Sequence, residues 1–434
     1  MMRLARYLIV AAVLLGPAGS FRAFAAPVLA AATRTTLFSS TSTASTTVPL
    51  RNNNTTTLNF QTTADNQTVV IIYNAECVVD AERGTRLNIK ILVDGNQADP
   101  SVGADFAFCS AVDTSGATWV SAVRQSVMKV PVAGMHIVTI VGRMFGGAGT
   151  WRLDDSSLVV QRAVPSVATR EDIFESTATA SDPTVFLPLK DSGATVLNVS
   201  TSRPDERLKV TYNAECVVAA AGGARIVAVQ IFMPDAAVVD GTNDGLCGAV
   251  DTAGQTWAGA ARQTAVTIPN TGSHDIEVTG HLNDGPGTWR LNDSALVVTR
   301  GFLASGAHEV GVSSSSTAEM GVPITASGGK ELTFTTTDPD QVVKLTFNAL
   351  CAVTAARGRW LGIRITVDDI EAQPAAGYNF ALCSSVEPFL AHFASGYRQS
   401  VITVPDPGTH KVRVFAKMSS AASWGLFQIS LVVE

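Results

Sequence analysis

The stretch Ile71–Val79, "IIYNAECVV", returns as "VTYNAECVV" at Val210–Val218 and, more loosely, as "LTFNALCAV" at Leu345–Val353. Each copy is rich in strand-forming residues, and alternate residues of an extended chain face opposite sides. In the second copy Leu208, Val210, Tyr212, Ala214 and Cys216 share one side; in the third, Leu345, Phe347, Ala349 and Cys351 do. The cysteine therefore faces an apolar core, and Asn74, Asn213 and Asn348 face the other way. Asparagine is a poor strand former, so its return in all three copies needs a reason: an anchor to a neighbouring loop, or a ligand contact. Glu76 and Glu215 lie two residues on, on the same side as the asparagine, and would extend a polar patch that Leu350 breaks in the third copy.

Working outward, the cysteines fall into the pairs Cys77 and Cys109, Cys216 and Cys247, and Cys351 and Cys383. Other residues recur in register with the second cysteine. Ten residues on stand Trp119, Trp257 and Phe393; fifteen on, an Arg-Gln dipeptide begins at Arg124, Arg262 and Arg398. Twenty-seven on, Gly-x-His supplies His136, His274 and His410, and Trp151, Trp289 and Trp424 close the units. Agreement at so many positions defines a tandem repeat. The boundaries read as a signal peptide over 1–25 and repeats over 26–165, 166–303 and 304–434. The seams are short, which suggests close-coupled beads.

Within each repeat, strand-like segments alternate with Gly, Pro, Asn and Asp clusters every 10–15 residues or so, the pattern of an antiparallel sandwich. The expectation is an all-β chain of three β-sandwich domains, jelly-roll or Greek-key in type, each closed by one internal disulfide. An immunoglobulin domain fits badly, because the paired cysteines are only 31 or 32 residues apart and no tryptophan lies between them in the first two copies.

The opening segment, "MMRLARYLIVAAVLLGPAGSFRAFA", has basic residues, a short apolar run and a small-residue cleavage pattern, and reads as a cleaved signal peptide. No further apolar stretch is long enough to span a bilayer. The expected compartment is extracellular or periplasmic, where local disulfides persist. Charged residues make up 16%, and the net charge is −6; losing Arg3, Arg6 and Arg22 takes it to −9. An acidic chain without basic clusters is a poor partner for nucleic acid or anionic membrane.

The residues offer little catalytic machinery. Neither G-x-S-x-G, H-E-x-x-H nor C-x-x-C occurs, and no cofactor motif or metal-ligand set stands out. "DGTND" (240–244) lacks a full calcium-loop pattern and reads as a turn. The repeated histidines begin strands on the inward side, where a half-buried imidazole bonding a turn carbonyl is the expected role. The repeated arginines also face inward, so each must meet a carboxylate or carbonyls. Trp119 and Trp257 sit at loop-to-strand junctions and are the candidates for stacking on a sugar ring. The sequence thus points to an exported, non-enzymatic binding or structural protein whose partner is a surface glycan or another protein. The alternatives are a lectin-like protein using the two tryptophans and an enzyme with an unrecognised site.

Overall fold

The computed structural model of the chain describes residues 28–101, 106–112, 118–162, 166–178, 184–220, 225–235, 245–250, 253–283, 285–386 and 392–434. The expected signal peptide and the 240–244 stretch lie outside them. Every regular element among the described residues is a strand, and all pair antiparallel.

In the first unit, one sheet sets Val28–Arg34, Gly149–Arg162, Gln67–Ala81 and Val120–Val130 side by side. The facing sheet sets Thr57–Thr62, Gly134–Phe145, Arg86–Val93 and Phe106–Ser110 in that order. Counted along the chain, these principal strands run first–eighth–third–sixth in one sheet and second–seventh–fourth–fifth in the other. That is the order of a jelly roll, one of the two topologies expected. The same order holds in the other two units, whose third strands are Glu206–Ala219 and Gln341–Thr354 and whose sixth strands are Ala258–Ile268 and His392–Val404.

Each sandwich has its own apolar core, centred on Tyr73 and Trp151 in the first unit, Tyr212 and Trp289 in the second, and Phe347 and Trp424 in the third. The disulfides Cys77–Cys109, Cys216–Cys247 and Cys351–Cys383 each join the third strand of one sheet to the fifth strand of the other. They staple the two sheets together from inside the core.

The two sheets are not equivalent. Gly134–Phe145 alternates buried and partly exposed residues, as a sheet with one wet face should. Gln67–Ala81 is buried on both faces along almost its whole length. Its second face is covered by the other units. The three sixth strands, Val120–Val130, Ala258–Ile268 and His392–Val404, all touch one another. The fifth strand of each unit packs on the sixth strand of the next, and the third unit returns to the first: Ala381–Ser384 lies against Val120–Val130. The beads therefore close into a ring with approximate threefold symmetry. A small apolar cluster that includes Val70, Ile72, Val123, Ala261, Val297 and Tyr397, drawn from all three units, lies at its centre.

Candidate functional site

The structure places the repeated polar residues in the seams of this ring. Asn74, Asn213 and Asn348 do face away from the disulfide core, as the alternation predicts. Yet each is fully buried, as are Glu76 and Glu215 beside them, so the side that faces away from the core is not a solvent face and the polar patch lies inside a seam. Asn213 Nδ2 donates to Ala260 O of its own unit at 2.7 Å and to Val123 O of the first unit at 3.1 Å. Its Oδ1 accepts from Gln125 N of the first unit at 3.0 Å. Asn74 does the same toward the third unit, through Ala122 O, Tyr397 O and Gln399 N. Asn348 bonds Gly396 O and, across the seam, Ala261 O. One amide in each unit thus ties two strands of different units together.

The Arg-Gln dipeptide has a divided role. Its glutamine crosses the seam: Gln125 Nε2 donates to Thr211 O, Gln263 Nε2 to Thr346 O, and Gln399 Nε2 to Ile72 O. Its arginine points inward in the first and third units, as the alternation predicts, whereas Arg262 of the second departs from that expectation and donates across the seam to Asn348 Oδ1 at 3.3 Å and Gln428 O at 3.1 Å. Arg124 donates to Ile89 O and to Pro100 O, and lies over the Phe106 ring with 4.8 Å to the centroid. Arg398 matches it with Pro374 O and Phe380. Burial pulls both guanidinium groups down to about 10. The glutamines were visible in the sequence as part of the repeat, but nothing local told which strand they would meet.

Glu76 and Glu215 also lie buried in seams. Glu215 accepts from Ala107 N of the first unit and from Asn292 Nδ2 at 2.7 Å; Glu76 accepts from Ala381 N of the third. Beside each, a β-bulge holds a residue at positive φ: Asp155 at 44° and Asp293 at 44°. Burial, and then the charge of Asp155, pushes Glu76 well above the usual carboxylate range. Burial and the neighbouring Asp154 raise Asp155 to about 6, and burial and Glu215 raise Asp293 to about 7. Glu76, Asp154 and Asp155 bring their oxygens close enough to share a cation. Arg398 of the third unit faces the cluster, and its positive charge opposes the rise at Asp155. In the third unit the corresponding residues are Leu350, Phe427 and Gln428, and the acidic cluster is lost.

A third layer of the seam was not anticipated. Glu434 bonds Lys209 Nζ at 2.6 Å and Lys344 Nζ at 2.7 Å, all three side chains being essentially inaccessible to water. Lys344 also donates to Gln161 Oε1 of the first unit. Both lysines stand at the same place in otherwise largely apolar strands, and the first copy carries Val70 there. That lack of repetition hid the cluster.

Trp119 and Trp257 sit beside the same seams and are half-buried. Their carbonyls accept from Ser384 and Ser110 of adjoining units. Part of the loop before Trp119 lies outside the described residues. A more open aromatic group, missed in the sequence, covers the outer sheet of the third unit. There Arg364 lies between the rings of Tyr378 and Phe415, 5.2 and 4.9 Å away, and is held by both oxygens of Glu319.

The histidines form a constellation that resembles a hydrolytic triad. His136 Nδ1 meets Asp94 Oδ2 at 2.7 Å, and its Nε2 meets Thr62 Oγ1 at 3.1 Å. The same Thr–His–Asp set recurs at Thr201, His274 and Asp235, and at Thr336, His410 and Asp368. Thr62 is only 2% exposed, its hydroxyl accepts from Gly134 N, and His136 Nε2 lies 3.0 Å from Val132 O. The set ties a turn to a strand end, in line with the turn-bonding role read from the sequence, and closes the hydroxyl off from a substrate.

One concave feature of the seams remains. A cleft of about 290 Å³ opens between the second and third units, walled by Arg262, Thr264, Ser305, His308, Thr325 and Ser430.

No known protein family and no curated protein matches the sequence. Among solved structures, a tandem pair of CBM22 domains from Paenibacillus barcinonensis Xyn10C aligns over 61% of this chain and 97% of that one, at 10% identity and a TM-score of 0.16. A GH2 beta-galacturonidase from Eisenbergiella tayi aligns over 59% of this chain and 37% of that one, at 10% identity and a TM-score of 0.15. Dimeric latent PorU from Porphyromonas gingivalis aligns over 80% and 32%, at 9% identity and the same TM-score. Likenesses this slight carry no functional argument.

The fold defines an all-β, disulfide-stapled triple jelly roll, compatible with an oxidising compartment outside the cytoplasm. Among the described residues no helix is long and apolar enough to cross a membrane.

Proposed function

We propose that the chain is an exported, non-enzymatic binding protein, in which three jelly rolls form one rigid head that presents its outer sheets and loops to a partner. The observation that carries this reading is the closure of the ring. It takes up the triplicated Asn, Gln and paired Glu groups as seam bonds, so recognition falls to surfaces that differ between units. The buried threonines of the Thr–His–Asp sets support the non-enzymatic part. A rigid head with three outward faces suits multivalent attachment, where several weak contacts act together.

A glycan is the favoured partner class. The partly exposed rings of Trp119 and Trp257, and the Tyr378–Arg364–Phe415 group, are the surfaces on which sugar C–H groups would stack. Glycan-array binding of the mature protein tests this, beside Trp119→Ala with Trp257→Ala and, separately, Tyr378→Ala with Phe415→Ala. Loss of signal in either pair identifies the surface. Absence of array binding by the unaltered protein removes the glycan reading, binding unchanged in both pairs removes these rings as its surface, and release of a new product from any bound glycan removes the non-enzymatic reading.

A further inference from the structure

We propose that the outer sheet of the second unit binds an extended, uncharged glycan chain across Phe186 and Phe232; the proposal rests on the glycan reading above and adds a surface to those named there. The strand register sets out the face. Phe186 of Val185–Phe186 pairs with Thr279 of Gly272–Leu282, and Thr279 pairs on its other side with Gln230 of Ile226–Phe232. Two residues along, Glu277 has Val196 on one side and Phe232 on the other. Residues paired directly across strands share a side of the sheet. Leu187, Ile231 and Val278 belong to the core, so their chain neighbours in these rows stand on the outer side. Phe186 is 55% exposed and Phe232 41%. The other units carry Thr47 and Gly321 at the place of Phe186, and Leu92 and Thr366 at the place of Phe232. Two bare rings on one face of one unit forgo the burial that holds such side chains in a core, and mark a contact surface.

The spacing and the polar groups between the rings select the occupant. The rings stand two strands and two residues apart, roughly 12 Å, so a single sugar cannot lie on both and an extended chain can. Sugar C–H groups stack on such rings. Between them the Thr279 hydroxyl and the Gln230 amide donate and accept, and the Glu277 carboxylate accepts, as a row of sugar hydroxyls requires. All three are half-buried, and among the described residues the Gln230 and Glu277 side chains have no hydrogen-bond or ion-pair partner. Asp275 stands on the same side, where it accepts from Asn198 Nδ2. The strands of this face, Val185–Phe186, Val196–Thr201, Ile226–Phe232 and Gly272–Leu282, contain no lysine or arginine. Two carboxylates without a cation repel a uronate chain and leave a neutral one unopposed. At the places of Asp275 and Glu277 the third unit has Lys411 and Arg413 and the first has Ile137 and Thr139, so this charge is particular to the second unit. The amide and hydroxyl beside the carboxylate suit a polyol better than a purely cationic partner.

Calorimetric titration of the full mature chain with cellohexaose, xylohexaose and mannohexaose tests this, beside glucose, hexagalacturonate and hexalysine. The expected result is saturable binding of at least one neutral hexasaccharide, with glucose, hexagalacturonate and hexalysine each at least about tenfold weaker. Phe186→Ala with Phe232→Ala should weaken that binding by at least about tenfold. Both rings are exposed, so the double variant should keep the wild-type unfolding midpoint. Absence of binding by all three neutral hexasaccharides, hexagalacturonate within tenfold of the best of them, or unchanged binding in the double variant would overturn the proposal. Hexalysine binding more tightly would assign the face to a basic partner, and self-association lost in the double variant without glycan binding would assign it to a second copy; either result also overturns it. Binding that survives the double variant but falls in the Trp119–Trp257 or Tyr378–Phe415 pair removes this surface alone and leaves the glycan reading standing, whereas absence of any array signal removes both.

Discussion

Asn213 of the second unit and Gln125 of the first are joined as if they belonged to one sheet: the asparagine carbonyl accepts the glutamine backbone N–H at 3.0 Å inside a fully buried seam. The relation repeats between Asn74 and Gln399, 325 residues apart in the chain. A side chain here performs the work of a missing strand partner, because each sixth strand would otherwise bury unpaired backbone groups against its neighbour.

Asn213→Ala should therefore cost roughly 2–4 kcal/mol, since it removes three buried hydrogen bonds and leaves their backbone partners unpaired. Urea unfolding monitored by tryptophan fluorescence gives the number. A cost below about 0.5 kcal/mol, the level of an ordinary surface change, would show that the seam is not held by this amide.

Glu434 neutralises two buried lysines, so Glu434→Gln strands both cations and should destabilise by about 3–5 kcal/mol. Lys344→Met removes one of the two cations and keeps the Lys209–Glu434 pair, and should be tolerated far better. Equal losses from the two variants would contradict the shared-carboxylate arrangement.

Stability should pass through a minimum near pH 7. Asp155 at about 6 and Asp293 at about 7 lie above their ordinary value of 3.8, so between about pH 4 and 7 the folded chain holds more protons than the unfolded one. Their contribution is complete at acid pH and is lost as pH rises, at about 1.4 kcal/mol per pH unit for each proton retained. Lys344 is the reverse: burial, opposed by Glu434, holds it down at about 7, so stability returns as pH rises from there toward 10.5. Glu434, held at about 2 chiefly by the two lysines against burial, adds a loss only below about pH 4. Asp293→Asn should flatten the acid limb and Lys344→Met the alkaline limb. Chemical denaturation from pH 4 to 10 measures both, and a level wild-type profile would refute the assignment.

Each disulfide closes a loop of 31 or 32 residues between the two sheets of a sandwich. On the chain-entropy account that is worth about 3–4 kcal/mol per bridge. The pair Cys216→Ala with Cys247→Ala should lower the denaturant midpoint of the second unit accordingly. Peptide mapping without reductant should recover Cys77–Cys109 and its two counterparts and no pair between units.

The sequence by itself determined the strands, the three units, the sandwich class and the side of each strand on which a residue stands. All of these follow from a period of two and from spacing repeated in register. It also placed the histidines and two of the three repeated arginines inward, because their parity is a local property; Arg262 reaches across the seam instead. Only the tertiary structure decided what covers the other side. Alternation says that Asn74 leaves its own core but carries no sign of whether water, a ligand or a strand more than 300 residues away receives it. The ring, the Lys209–Glu434–Lys344 cluster and the seam cleft all arise from such distant meetings. Burial of one face is written in the pattern of neighbouring residues, whereas the partner of the other face is fixed by how whole sandwiches fit together.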